Sequence, residues 1–284
     1  MFKKVAVADS LGYYVEPIFR SIETHSGGEL LLSLVYFSIQ IYCDFSGYSD
    51  IAIGTAKLFG IEVISNFKFP FGAKNPVEFW ERWHISLSSW IRDYLYYPLA
   101  IHYRRKSSGI INKYKPHIYT MGLMGLWHGA NWTFVIWGIY WALLIITYYI
   151  ILDLRAMISL KNKFHYFSQK THVNKTLDVI SIVTVFFCTS ISWILFRSDS
   201  LQDAFLYMNT IITDLFVSLN FGHKNPMVIV VLFLSVDFLW RKNERDPLNL
   251  KNMFIRWGLY ISLMYLVVGF FNFDQASNFI YFQF

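Results

Sequence analysis

Charge-free apolar runs alternate with short basic clusters along this chain. The runs are long enough to predict helices that cross a membrane. The clearest are Leu30–Cys43, Val179–Phe196, Pro226–Val236 with its continuation to Trp240, and Trp257–Phe273; one crossing needs ~20 apolar residues. Leu30–Cys43 is expected to continue past Asp44. The longest run, Pro116–Leu152, holds 37 residues without Asp, Glu, Lys or Arg, too many for one crossing and slightly few for two. Its flanks decide between them. Arg104, Arg105, Lys106, Lys113 and Lys115 precede it, and Arg155, Lys161, Lys163, Lys170 and Lys175 follow it. Basic loops mark the cytoplasmic side, so the chain should enter and return between them. The polar, glycine-bearing centre Gly125–Asn131 is the turning point. The expectation is a re-entrant or broken hairpin with His128 deep in the membrane, where irregular backbone is tolerated only when buried in protein or lining a cavity. Beyond it, Val179–Phe196 would cross outward to an acidic loop (Asp199, Asp203, Asp214), and residues 226–240 would return to Arg241, Lys242, Arg245, Lys251 and Arg256. The last span would leave Asn272–Phe284 outside. Before residue 100, Asp44, Asp50, Lys57 and Lys68 interrupt the pattern and leave the topology open.

Composition strengthens the membrane reading. Hydrophobic residues are 55 %, aromatics 20 % and charged residues 15 % of the 284, against roughly 25 % charged in soluble domains. A soluble globule, a disordered chain and a disulfide scaffold are all excluded. The net charge of +6 follows from the basic loops and does not indicate a nucleic-acid partner. Cys43 and Cys188 lie in apolar stretches as small hydrophobes, and no Cys/His spacing suits a metal. The opening segment is interrupted by Asp9 and does not read as a signal peptide. The class is all-α: a polytopic integral membrane protein, multi-pass in the cell membrane.

Three stretches can carry chemistry. Within Glu78–Leu99, Trp80, Trp83, Leu87, Trp90 and Tyr94 recur at steps of three or four, predicting one helix with an aromatic face; Glu78 and Arg82 can pair at i, i+4. An interfacial helix anchored by tryptophans explains much of this, but His84, with Arg82, Ser86 and Ser88, is more polar than anchoring requires. Arg92 and Asp93 on the same stretch are candidate supporting residues. His128 is the sharper candidate, because an ionisable side chain at membrane depth is costly and usually functional, and imidazole suits a general base near neutral pH. Trp127 and Trp132 would wall it from lipid, and Asn131 would hydrogen-bond it or a substrate. In Tyr42–Asp50, Asp44, Ser46, Ser49 and Asp50 interrupt an apolar run; Asp44 and Asp50 lie about 120° apart on a helix, so they are no facing dyad, and capping by Ser and Asp around Gly47 accounts for them equally well. No serine elbow, phosphate loop or zinc motif is present.

Taken together, DFSGYSDIAIGTAKLFGIEVISNF (Asp44–Phe67), EFWERWHISLSSWIRDYLYYPL (Glu78–Leu99), GLWHGANWTFVIWG (Gly125–Gly138) and the terminal FIYFQF (Phe279–Phe284) resemble the membrane-bound O-acyltransferase family, in its alginate O-acetyltransferase-like bacterial branch. The resemblance implies a single membrane domain over 1–284: an interfacial segment at 1–29, a catalytic core with both histidine motifs at 30–152, and C-terminal spans at 177–273. It implies transfer of an acyl group, acetyl above all, from a thioester (acetyl-CoA or acyl carrier protein) to hydroxyls of an envelope polysaccharide, with no bound cofactor or metal. His128 is then the catalytic histidine and His84 a second active-site or structural partner. A covalent intermediate on Ser46, Ser49 or Cys43 is less favoured. The implied partners are the polysaccharide, membrane lipid and a periplasmic or extracellular acyltransferase component. Members of this branch run several more helices upstream of FKKVAVADSL, so a separately encoded N-terminal half is a further expected partner. Pro70-Phe71 and Lys74-Asn-Pro76 depart from the family pattern. The rival readings are a transporter or export component, with His128 and Asp44 as a proton relay, and an inactive truncated subunit.

Overall fold

The computed structural model describes residues 1–106, 109–161, 172–215, 226–241 and 250–270. They are overwhelmingly helical. After a π-helical turn at Lys3–Asp9 come α1 (Ser10–Arg20), α2 (Gly27–Leu58), α3 (Pro76–Arg82), α4 (Ile85–Ile91), a π-helical turn at Arg92–Tyr96, α5 (Tyr97–Lys106), α6 (Ile110–His128), α7 (Trp132–Lys161), α8 (His172–Arg197), α9 (Leu201–Asp214), α10 (Met227–Trp240) and α11 (Met253–Phe270). Gly27–Leu58, Trp132–Met157 and Lys175–Arg197 are long and apolar enough to cross a membrane; α10 and α11 are shorter apolar helices. The expected run at Leu30–Cys43 does continue past Asp44, as one helix to Leu58. Residues 271–273 of the expected last span, the terminal Phe279–Phe284 motif, and Lys163, Lys170, Lys242 and Arg245 lie outside the described residues.

The helices group into two compact units, Met1–Phe69 with Arg197–Phe284, and Pro70–Phe196. The first is organised around α2. Ser26 caps it, its hydroxyl accepting from the Glu29 N–H while the Glu29 carboxylate accepts from the Ser26 N–H; two orphan donors of the first turn are thereby met. From Leu30 to Ser46 nearly every side chain is buried, as expected of a helix apolar on all sides. Three of its polar positions are met from outside the helix. Lys4 reaches Asp44 at 2.7 Å and Asp9 at 3.0 Å, Lys3 reaches Asp50 at 2.9 Å, and the Tyr42 hydroxyl donates to Asp237 at 3.2 Å. Burial works against a charge on Lys4, but its bonds to Asp44 and Asp9 outweigh it and raise the ammonium pKa. The Tyr207 hydroxyl donates to the Leu30 carbonyl at 2.8 Å, and the Gly27 N–H to Asp214 at 2.7 Å, tying α9 to α2.

The second unit contains the expected hairpin. α6 and α7 run back on each other through Gly129–Asn131, with Asn131 at the head of α7: its carboxamide oxygen accepts from the Thr133 N–H at 3.1 Å. Two glycines set the spacing. A Cβ on Gly125 would lie 2.2 Å from the Phe134 carbonyl oxygen, and one on Gly138 would lie 2.1 Å from that of Met121. The helices therefore touch backbone to backbone, a closeness that only small residues permit. At the open end Lys113 pairs with Asp153, which also accepts from the Tyr114 hydroxyl at 3.2 Å. The Tyr140 hydroxyl donates to the Cys188 carbonyl at 2.8 Å, joining α7 to α8.

Glu78–Leu99 is not one helix. The expected Glu78–Arg82 pair forms, but the chain breaks at Trp83–His84 and again adopts π geometry at Arg92–Tyr96. The supposed aromatic face is split by this: Trp83 is 2 % exposed, whereas Trp90 and Tyr94 are 52 % and 67 % exposed. Packing of Trp83 against Phe79 and Trp193 outweighs helical continuity.

Two substitutions test these contacts in detergent-solubilised protein. Gly125→Ala or Gly138→Ala should destabilise by at least about 2 kcal/mol through overpacking, lowering yield and thermal midpoint, whereas Gly258→Ala, which meets nothing within 4 Å, should not. Lys4→Met, which strands the buried Asp44, should cost about 3 kcal/mol or more, and Lys4→Met/Asp44→Leu should recover part of that loss.

Candidate active site

His128 is the last residue of α6, and rings from three helices gather around it. Trp127 meets it at 4.9 Å between centroids, Trp137 of α7 edge-to-face at 5.1 Å and 88°, Phe196 of α8 at 5.1 Å, and Phe134 of α7 at 6.4 Å. Glycine is needed at the next position for this to close, since a Cβ on Gly129 would stand 2.6 Å from the Phe134 ring. A second layer stands behind the first. Trp193 meets Trp137, Phe196 and Trp83; Trp83 stacks on Phe79; and Phe79 stacks on Trp141 at 4.9 Å.

His84 follows Trp83 of this nest, at the break between α3 and α4. Asn75 caps α3, accepting from the Glu78 N–H at 2.9 Å, and the Ser88 hydroxyl donates to the Trp83 carbonyl at 2.8 Å. Between these anchors His84 is held at φ 44°, ψ 57°. A left-handed conformation at a non-glycine residue costs about 1–2 kcal/mol, and such strain clusters at functional sites. Burial pushes the His84 imidazole down to about 4, so it is neutral at physiological pH. A charge on His84 would be felt at His128; the structure thus brings the two histidines of the sequence motifs into one neighbourhood.

The other candidates fall out differently. Trp127 is 60 % and Trp132 71 % exposed at the protein surface, although Trp127 does border His128. Asn131 is engaged as the α7 cap. Arg82 pairs with Glu78, and Arg92 bonds its neighbour Asp93 at 2.8 Å. Asp44 and Ser46 belong to the first unit, where Asp44 is the buried partner of Lys4.

Sequence reasoning passed over Trp137, Trp193 and Phe196, which form most of the enclosure. Trp137 stands in the same motif as His128 but gives no sign by its spacing; the α8 residues lie in an apolar run with nothing to set them apart. It also passed over His117, which is buried and lies within hydrogen-bond distance of the Tyr96 hydroxyl, 3.2 Å. His117 lines both a cavity of about 450 Å³, floored by Met121, Met124 and Ile145, and a neighbouring one of about 410 Å³ that Arg104 and Lys113 border. Trp80 lines the larger cavity and meets Trp137 at 6.0 Å. Among the described residues no cluster of His, Cys, Asp or Glu could hold a metal ion.

Residues 29–198, which include both histidine motifs, match the model of the MBOAT, membrane-bound O-acyltransferase family. A probable alginate O-acetylase AlgI of Pseudomonas aeruginosa is 31 % identical over 276 residues, covering 97 % of this chain and 44 % of that protein. A peptidoglycan O-acetyltransferase of Helicobacter pylori is 32 % identical over 204 residues, 72 % of this chain and 35 % of the relative. A teichoic acid D-alanyltransferase of Bacillus subtilis is 33 % identical over 146 residues, 49 % of this chain and 37 % of the relative. The chain spans less than half the length of each of these relatives.

The depressed pKa of His84 has a measurable sign. The unfolded chain takes up this proton near the ordinary histidine value of about 6.5, whereas the folded chain resists it down to about 4. The stability it contributes is therefore complete above about pH 6.5 and lost as the pH falls toward 4. Chemical-shift titration of ¹⁵N-histidine-labelled protein should show the His84 ring unchanged from pH 8 to about 5.5; a midpoint near 6.5 would contradict the buried placement.

Proposed function

This chain belongs to the membrane-bound O-acyltransferase family, and from that premise we propose that its histidine-bearing hairpin transfers an acyl group, acetyl above all, from a thioester to a hydroxyl of an envelope polysaccharide. The observation that carries this reading is the placement of His128: at the closed end of a tight hairpin, enclosed by rings, in electrostatic reach of His84. The names of the relatives, which act on alginate, peptidoglycan and teichoic acid, support a polymeric cell-envelope acceptor. A thioester donor, acetyl-CoA or an acyl carrier protein, supplies a good leaving group without a bound cofactor, and an extracytoplasmic partner would present the polymer.

His128, in its neutral form, accepts the proton of the acceptor hydroxyl as the oxygen attacks the thioester carbonyl; the departing thiolate then takes that proton back. His84, neutral and fixed by the break between α3 and α4, orients the acceptor. The aromatic enclosure keeps water from competing for the donor. Asn131 and the glycines hold the turn that presents His128.

In a strain deleted for the gene, wild-type chain should restore O-acylation of the envelope polysaccharide. His128→Ala, inserted to the same level, should lose at least about 10²-fold of it, the lower end of what a general base contributes. Equal restoration by both would remove His128 from the mechanism.

A further inference from the structure

Buried polar tips of aromatic side chains normally find a partner, and this protein follows the rule at its tyrosines: Tyr140 donates to the Cys188 carbonyl and Tyr207 to the Leu30 carbonyl, each at 2.8 Å. Four tryptophans of the aromatic nest do not. The indole N–H groups of Trp80, Trp137, Trp141 and Trp193 are shielded from solvent and have no acceptor among the described residues. Leaving a buried donor unmet is costly, and each one requires an explanation.

Trp137 offers the clearest one. Its side chain is 1 % exposed, and its ring meets His128 edge-to-face at 5.1 Å. The next residue is Gly138, whose backbone is pressed against the Met121 carbonyl. α7 therefore cannot rotate to bring the indole to another acceptor. Trp193 meets Trp83, Trp137 and Phe196, and Trp141 lies flat on Phe79 at an interplanar angle of 12°. The ring beside the imidazole thus carries a donor shielded from solvent and unengaged by the described residues.

We propose that the Trp137 indole N–H donates to the carbonyl oxygen of the acyl group during transfer. This rests on the acyl-transfer reading of the site. As the acceptor oxygen bonds to the carbonyl carbon and its proton passes to His128, the π pair of the C=O moves onto oxygen, and the indole N–H stabilises that oxyanion without giving up its proton. Collapse re-forms the C=O and breaks the C–S bond, and the thiolate takes the proton from the imidazolium, leaving an ester and a thiol. Such a donor is most valuable where it is shielded from water, and it has no competing acceptor among the described residues.

The test is Trp137→Phe in the full chain, which keeps an aromatic ring and removes the donor. Its kcat for acetyl transfer should fall about 10²-fold, with KM for the thioester within about two-fold and an unchanged thermal midpoint. Trp141→Phe, which also deletes a buried indole N–H, should retain kcat. Full kcat in Trp137→Phe, or equal losses in both variants, overturns the proposal. A second arm does not need turnover: in His128→Ala protein labelled with 6-fluorotryptophan, the Trp137 fluorine resonance should move on saturation with acetyl-CoA. No movement at saturation overturns the Trp137 role, whereas movement in a wild-type chain that transfers no acetyl group overturns the acyl-transfer reading alone.

Discussion

Everything at the candidate site depends on the contact between two backbones. α6 and α7 meet where Gly125 faces the Phe134 carbonyl and Gly138 faces that of Met121, with room for no side-chain atom between them. In a membrane, helices gain little by hiding apolar groups from one another, since lipid is equally apolar; dispersion at close range takes over. This contact sets how far the α6–α7 turn reaches and the register in which Phe134 and Trp137 come to lie on His128. A hairpin held apart by two methyl groups would keep its helices and lose its enclosure.

The two units accommodate polar groups in different ways. Around α2, Asp44 is neutralised by Lys4 and Asp50 by Lys3. Such pairs gain little net stability over apolar packing, but they are severe on any wrong register, which would leave a bare charge. Around His128 the surroundings are rings, and the two histidine motifs are joined through Trp137, Trp193 and Trp83. The first arrangement fixes a helix in position. The second surrounds His128 with rings and leaves buried indole donors without an acceptor among the described residues.

The hairpin was legible in the sequence because its signals are local: a charge-free run of the wrong length for one crossing, basic residues at both flanks, and glycines at the centre. The long α2 was legible for a similar reason, since an apolar run absorbs Asp44 when a partner exists. The partner itself, Lys4, lies forty positions away and leaves no local trace. The break at His84 was illegible for a stronger reason. The three-and-four spacing of Trp80, Trp83, Leu87 and Trp90 passes through it without a proline or glycine, and the helix is interrupted by the tertiary packing of Trp83 in the aromatic nest. Phe196, on α8, is invisible in the same way, because its importance comes from what another helix presents to it.

The left-handed backbone at His84 also restricts which side chains the position can hold. β-Branched and bulky residues are nearly barred from that region, whereas glycine enters freely and Asn, Asp and His are several-fold enriched there. Of these, imidazole alone exchanges a proton near neutrality and can also offer one ring nitrogen as donor and the other as acceptor. The chain geometry thus acts as a filter upstream of any chemistry: most substitutions at this position are rejected for shape before their reactivity matters, and few that pass the filter keep the chemistry of a histidine.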